Sequence, residues 1–343
     1  MRQPIVRKPE LLEEAFVPVT VFYRDRQIGE LEECLRPALS QKKPMNAWLI
    51  GPPGTGKTLV AKFVLRKLSK DGKIAGTYVN CWEHNSYYSV LDRLVCELRV
   101  FGAEKLNTSY KLERLRHAVG SKPFVIILDE IDQPNRSERD SIIYNLSGIG
   151  NVALVIISNS GDIFFTMDDR IKSRLNAKRI DFPAYAVEDL AEIVRCRAEF
   201  ALLARTWDAA SLKKIAAFAK GDARCALQLL KNAALRADAD DCDSLKEEHV
   251  QESQTAGAVD KKAWLLDKLS SHHRLLLELI KERGEINSGE LWEAYLDRCR
   301  AENKPAIALR TYSEYMNKLI ELDLVRWDRA LVRGKVRVFR IPG

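Results

Sequence analysis

Residues 51–58 read Gly51-Pro52-Pro53-Gly54-Thr55-Gly56-Lys57-Thr58, and this octapeptide decides the fold. The pattern Gly-x-x-x-x-Gly-Lys-Thr means little alone; its neighbours make it a site. Four apolar residues, Ala47-Trp48-Leu49-Ile50, precede it, and an amphipathic stretch from Thr58 to Ser69 follows. A strand, a glycine-rich turn and a helix in that order build a phosphate cradle, with backbone N–H groups turned inward and the positive helix end facing the anion. Pro52, Gly54, Thr55, Gly56, Lys57 and Thr58 are therefore the expected nucleotide contacts. Lys57 reaches the β- and γ-phosphates, and the Thr58 hydroxyl ligates Mg²⁺. The cofactors expected are ATP or ADP with Mg²⁺.

Outward from the loop, further apolar runs occur at Thr77-Tyr78-Val79, Phe124 to Leu128 and Val152 to Ile157. They are β-rich and apolar on both faces, as strands of a parallel sheet covered by helices must be. Helical segments fit Ser89 to Val100 between them and Asp25 to Leu39 before them, the latter with Ile28, Leu31, Leu35 and Leu39 on one face. This alternation predicts an α/β fold: a P-loop nucleoside-triphosphatase core with a parallel sheet.

After Phe182-Pro183 the strand signal stops, and the pattern predicts helices only, over Val187 to Phe200, Ala209 to Ala219 and Ala223 to Ala237. The acidic tract Asp238, Asp240, Asp241 and Asp243 reads as a solvated turn, and Gln251 to Val259 as a linker. Helices over Trp264 to Arg283, Ser288 to Glu302 and Thr311 to Leu322, followed by strands at Leu324 to Trp327 and Val336 to Phe339, fit a winged helix-turn-helix. The expected domains are residues 1–183 (nucleotide-binding), 184–257 (helical lid) and 258–343 (winged helix).

The 343 residues, 46% hydrophobic and 30% charged, are the balance of a folded multidomain protein. No run approaches the ~18 to 20 apolar residues of a membrane span, and Met1 to Glu14 has no apolar signal region. Seven scattered cysteines without Cys-x-x-Cys argue for reduced thiols, a cytosolic location and no zinc site. The net charge of +7 permits a polyanionic partner.

The strand Phe124 to Leu128 runs into Asp129-Glu130, and two acids at a buried strand end are costly unless they have a chemical job or partners. Asp129 is placed for the Mg²⁺ shell and Glu130 to polarise an attacking water. Asn159, at the end of the next strand, is placed to bond that water or the γ-phosphate. Arg174 and Arg224, each near a helix end, can reach a γ-phosphate in cis or from a neighbouring subunit. In the third C-terminal helix a Thr311-x-x-Glu314 capping box marks the start. Tyr312, Tyr315/Met316, Leu319 and Leu322 turn inward, leaving Ser313, Asn317 and Lys318 for a major groove. From Arg329 to Gly343 the wing carries five basic residues, including Arg333, Lys335 and Arg337, and no acidic one, which suits phosphate or minor-groove contact.

In combination, the P-loop, Asp129-Glu130-Ile131-Asp132, Ser158-Asn159, Gly221-Asp222-Ala223-Arg224 and the C-terminal winged helix resemble the archaeal origin-recognition and cell-division-control initiators, which are AAA+ ATPases. The entry segment Tyr23-Arg24-Asp25-Arg26-Gln27-Ile28 and the run Arg310 to Tyr315 share the likeness, which spans about Phe22 to Arg340. The resemblance implies Tyr23 and Arg24 at an adenine pocket, Asn159 as sensor 1, Arg224 as sensor 2 on the lid, and Arg174 as an arginine finger acting in trans. It places Asn85-Ser86-Tyr87-Tyr88 where such initiators carry a DNA-touching helix. It further implies slow ATP hydrolysis, binding of double-stranded origin DNA, a nucleoid location, and recruitment of a replicative helicase and related initiator subunits. Two alternatives stay open: a clamp-loader-like or regulatory ATPase whose winged helix docks protein, and a DNA-binding protein with a purely structural nucleotide.

Overall fold

A computed structural model of the chain describes residues 3–13, 16–70, 72, 74–100, 107–255, 270–302, 304–322, 324–329 and 337–341. It divides into two compact units, Met1–Gln254 and Thr255–Gly343.

In the first unit, β1 (Ala47–Ile50), β2 (Ala75–Asn80), β3 (Phe124–Asp129), β4 (Val152–Ser158) and β5 (Lys178–Asp181) form a parallel sheet in the order β2-β3-β4-β1-β5. Side chains alternate across a strand, and here both destinations are cores. Trp48, Ile50, Ile126, Leu128, Leu154 and Ile156 face a cluster shared with α3 (Tyr87–Glu97), α4 (Thr108–Val119) and α5 (Arg136–Ser147). Leu49, Val125, Ile127, Val155 and Ile157 face the opposite cluster, with α1 (Asp25–Leu35) and α2 (Lys57–Ser69). Each such side chain contributes about 1.5–3 kcal/mol on burial, which is why the three central strands are continuously apolar.

Two features depart from the pattern reading. β5 went unrecognised because it is an edge strand in which Ile180 alone is buried, between charged Lys178, Arg179 and Asp181. The first helix stops at Leu35 and continues as a 3₁₀ turn, Arg36–Ser40, because Pro37 cannot donate to the α-helical ladder. Two short helices, α6 (Asp162–Thr166) and α7 (Asp169–Leu175), link β4 to β5.

The same unit continues into α8 (Val187–Ala201), α9 (Ala209–Ala219), α10 (Ala223–Ala239) and the helical residues 247–254, α11. Their core, Leu190, Val194, Ile215, Leu230 and Ala234, also receives Ile5 and Leu12 from the leader. The acidic tract is more than a solvated turn: Asp238 lies inside α10, and its carboxylate accepts from the Ile5 and Val6 amides at 2.7 and 3.2 Å.

The second unit contains α12 (Ser271–Arg283), β6 (Glu285–Asn287), α13 (Ser288–Ala301), α14 (Leu309–Glu321), β7 (Arg326–Arg329) and β8 (Arg337–Arg340). The strands pair antiparallel as β6-β8-β7 around a core containing Leu276, Ile280, Leu291, Tyr295, Tyr312 and Phe339. Helix α12 starts at Ser271, capped by the Ser270 side chain, and residues 264–269 of the expected helix lie outside the described residues. The Thr311–Glu314 capping box does not form. Helix α14 begins two residues earlier, at Leu309, and Glu314 instead pairs with Arg310 one turn back. The strand Glu285–Asn287, only three residues long, gave no periodic signal.

Candidate nucleotide site

The sheet order brings the carboxyl ends of β1, β4 and β3 side by side, the edge at which open α/β sheets bind ligands. At that edge the chain leaves Ile50, turns through residues 51–56 and enters α2. Gly54 (φ 70°) and Gly56 (φ 88°) adopt left-handed backbone that other residues enter only with strain. Gly54 is also a contact point: a Cβ there would lie 1.8 Å from Asp222 Oδ1. Asp222 caps α10 by accepting from the Cys225 amide at 3.0 Å, and the Ala223 amide donates to the Gly54 carbonyl at 3.0 Å. The first turn of α10, which carries Arg224, is thereby fastened to the phosphate loop.

Lys57 is 6% exposed and donates to the Gly51 and Pro52 carbonyls at 2.6 and 2.8 Å and to Asn159 Oδ1 at 3.1 Å. Burial pushes its ammonium down to about 8, against the opposing pull of Asp129. Asp129 is held from three sides: Oδ2 accepts from the Thr58 hydroxyl at 2.7 Å and the Tyr78 hydroxyl at 3.0 Å, and Oδ1 from the Glu130 amide at 3.0 Å. The Tyr78 hydroxyl is held well above its usual pKa by burial and by Asp129, so it stays a donor. Glu130 has φ 53°, a left-handed conformation that costs a non-glycine residue about 1 kcal/mol or more.

Thr58 and Asp129 offer two hard oxygen donors at one point, as a Mg²⁺ ion completing its shell with phosphate and water requires. A cavity of about 700 Å³ joins these parts, lined by Gly54 to Thr58, Asp129, Glu130 and Asn159 from the sheet side and by Ala223 to Cys225 from α10. Asn80, Tyr78 and Lys62 complete the β2 side, and Leu12, Glu13, Phe16 and Val17 of the leader form another wall. None of these seven was foreseen. The leader has no periodicity to read, and only strand pairing reveals that Asn80 stands opposite Asp129.

Tyr23 and Arg24 are not in this lining. Arg24, 4% exposed, sits behind the loop: its guanidinium donates to the Thr55 and Pro183 carbonyls at 3.0 and 2.7 Å and stacks on Tyr185 at 3.7 Å. A buried cation with that many carbonyl partners clamps the loop from outside the pocket. Arg174 is absent from the lining too; it is exposed on α7, with its guanidinium 4.3 Å from the Tyr144 ring. Tyr87 packs against the core, whereas Tyr88 is exposed under the Lys111 ammonium.

In the second unit Ser313, Asn317 and Lys318 are exposed along α14, and Arg337 lies over Trp327 at 4.6 Å. Arg333 and Lys335 lie outside the described residues. Among the described residues no cluster of three or more His, Cys, Asp or Glu side chains could hold a metal, and no helix is long and apolar enough to cross a membrane.

Comparison with known proteins matches residues 20–157 to the AAA ATPase domain and residues 191–255 to the Cdc6 AAA+ ATPase-type lid domain. The chain is 31% identical to ORC1-type DNA replication protein 1 of Halobacterium salinarum, over 86% of this chain and 96% of that protein. It is 31% identical to ORC1-type DNA replication protein 1 of Sulfurisphaera tokodaii, over 97% and 88%. Its fold superposes on the Aeropyrum pernix ORC1 protein, solved in complex with DNA, with a TM-score of 0.88 and 30% identity, covering 99% of this chain and 94% of that one.

Proposed function

The chain belongs to the ORC1-type DNA replication protein family of AAA+ ATPases, and from that premise we propose that it is a replication initiator that binds duplex origin DNA under the control of ATP and ADP. The observation that carries this reading is the cavity in which Lys57, Glu130 and Asn159 of the α/β layer meet Arg224 of the helical layer. A site walled by two layers makes their closure depend on what occupies it.

In this reading ATP is the substrate, its phosphates taken by the amides of residues 54–58 and by Lys57. Thr58 and Asp129 hold Mg²⁺, which supplies charge neutralisation at the phosphates. Glu130 accepts a proton from the attacking water, while Asn159 and Arg224 present donors to the γ-phosphate. Turnover is slow, and the product ADP stays bound. Arg174, remote from its own chain's cavity, serves a neighbouring subunit when two chains meet head to tail. Residues 184–257 act as the lid and 258–343 as the winged-helix DNA-binding domain. Ser313, Asn317 and Lys318 enter the major groove, and Arg333, Lys335 and Arg337 follow the phosphate backbone. That the Aeropyrum pernix ORC1 protein, 30% identical to this chain, was solved in complex with DNA supports the DNA-binding part of this reading. Recruitment of a replicative helicase and association with the nucleoid follow from the same role.

The test is a footprint on genomic DNA with ATP and with ADP, alongside turnover by the wild type and by Glu130→Gln. Protection of a repeated duplex element near a replication start, and loss of turnover with retained ATP binding in the variant, are expected. Absence of duplex binding at low salt refutes the DNA assignment; unchanged turnover in Glu130→Gln refutes Glu130 as the base.

A further inference from the structure

Resting on that reading of the ATP site, we propose that Asp132 is a positioning residue that sets the orientation of the Asn159 amide and so gives the site its discrimination between ATP and ADP. Asp132 lies three residues beyond Asp129, past the turn that ends β3, and has no role in the chemistry described above. Asn159 sits between two groups of opposite character. Its Nδ2 donates to Asp132 Oδ2 at 3.4 Å, and its Oδ1 accepts from Lys57 Nζ at 3.1 Å.

A side-chain amide has two edges that coordinates alone rarely distinguish, and the network must decide between them. Here chemistry decides. An ionised carboxylate only accepts hydrogen bonds and an ammonium only donates. The amide can satisfy both neighbours in one orientation only, with its NH₂ toward Asp132 and its carbonyl toward Lys57. Turning it over would set a carbonyl against a carboxylate and an NH₂ against an ammonium, two repulsive contacts.

The NH₂ group has two hydrogens, and Asp132 takes one. The other belongs to a donor of fixed direction on a side chain that lines the cavity. Such a donor suits an anionic oxygen and repels nothing when that oxygen is missing, as in ADP. Without Asp132, Lys57 alone would orient Asn159, and Lys57 is also the group that must turn to the phosphates. Asp132 keeps the sensing amide aligned when Lys57 leaves it. The buried Oδ1 of Asp132, which has no hydrogen-bond partner, marks a carboxylate placed for this contact at the expense of its own solvation.

The test is a double-mutant cycle between Asp132→Ala and Asn159→Ala, read as the ratio of affinities for a non-hydrolysable ATP analogue and for ADP. This readout requires no turnover, so failure of the ATPase assignment is visible separately, as wild-type protein that binds ATP without cleaving it. Each single variant is expected to shrink the ratio at least about tenfold, the value of one hydrogen bond to a charged acceptor, with ADP affinity held within about twofold. The double variant is expected to be no worse than Asn159→Ala. Asp132→Asn, nearly isosteric but able to present either amide edge, should lose part of the discrimination, and it replaces the alanine variant if that one unfolds. Additive losses in the double variant, an equal loss of ATP and ADP affinity, or an unchanged ratio in Asp132→Asn and Asp132→Ala would each overturn the proposal.

Discussion

Replacing Arg24 with alanine should destabilise the first unit and weaken nucleotide binding together, although Arg24 is not part of the pocket wall. Its Nε and Nη2 donate to the Thr55 and Pro183 carbonyls at 3.0 and 2.7 Å, and a weaker bond of 3.4 Å reaches the Tyr23 carbonyl. Each strong bond from a charged donor contributes about 1.5–3 kcal/mol, and stacking a desolvated guanidinium on Tyr185 adds about 2 kcal/mol. Burial of the guanidinium opposes these gains and lowers its pKa. With several kcal/mol of desolvation subtracted, the net loss expected is about 3–5 kcal/mol, or about 6–20 °C in the melting midpoint of a unit this size. Thermal unfolding by circular dichroism measures it, and hydrogen exchange on peptides spanning β1 and α2 assigns the transition to the first unit. ATP affinity should fall about tenfold, because Thr55 loses the anchor behind it. Arg24→Lys should recover less than half, since an ammonium supplies neither the fork nor the planar stack. A midpoint within about 2 °C of wild type, with unchanged ATP affinity, would refute the clamp.

Other outcomes follow from the same geometry. Gly54→Ala should cost about 1–3 kcal/mol and reduce ATP affinity, because it adds left-handed strain and drives a methyl group into Asp222; calorimetric titration checks the affinity. Lys57 titrates near 8 in the nucleotide-free protein against 10.5 in an unfolded chain. The unfolded state therefore binds more protons across that window, and the stability of the nucleotide-free unit should rise as pH climbs from about 8 to 10.5. Nucleotide affinity should move oppositely, falling by up to about tenfold per pH unit above 8, because phosphate requires the charged ammonium; Lys57→Met should abolish both dependences in urea and titration series. Asp238→Ala removes the acceptor for the Ile5 and Val6 amides, so the leader should detach. Limited trypsin cleavage after Arg7 should then quicken severalfold, with a stability loss of about 1–3 kcal/mol; unchanged cleavage would show that the backbone bonds of Ile5, Arg7 and Lys8 to Leu203 and Ala201, with the packing of Ile5 and Leu12, suffice.

The legible part of the site was the part with short-range meaning. Gly54, Gly56, Lys57 and Thr58 act through local backbone geometry, and Asp129-Glu130 through the contrast with five apolar residues before them. Asp222 also carried its signal locally, as a capping residue ahead of α10. Tyr78, Lys62 and Asn80 did not, because each joins the cavity through pairing of β2 with β3 or the facing side of α2. The contacts of Arg24 to the Thr55 and Pro183 carbonyls were not legible either, since neighbourhood in sequence says nothing about which way a guanidinium turns.

From sequence alone came the strand–loop–helix order, the apolar central strands, the helical run after Phe182 and the two acids at a strand end. These are properties of periodicity and local backbone preference, and they survive any arrangement of the parts. Tertiary structure decided the rest: that β4 inserts between β1 and β3, so Asn159 stands between Lys57 and Asp132, and that the leader packs with α8 and α10 beside the cavity. Those contacts join residues from about 30 to more than 200 positions apart, and long-range pairing depends on which buried surfaces fit together. No window of sequence contains that information.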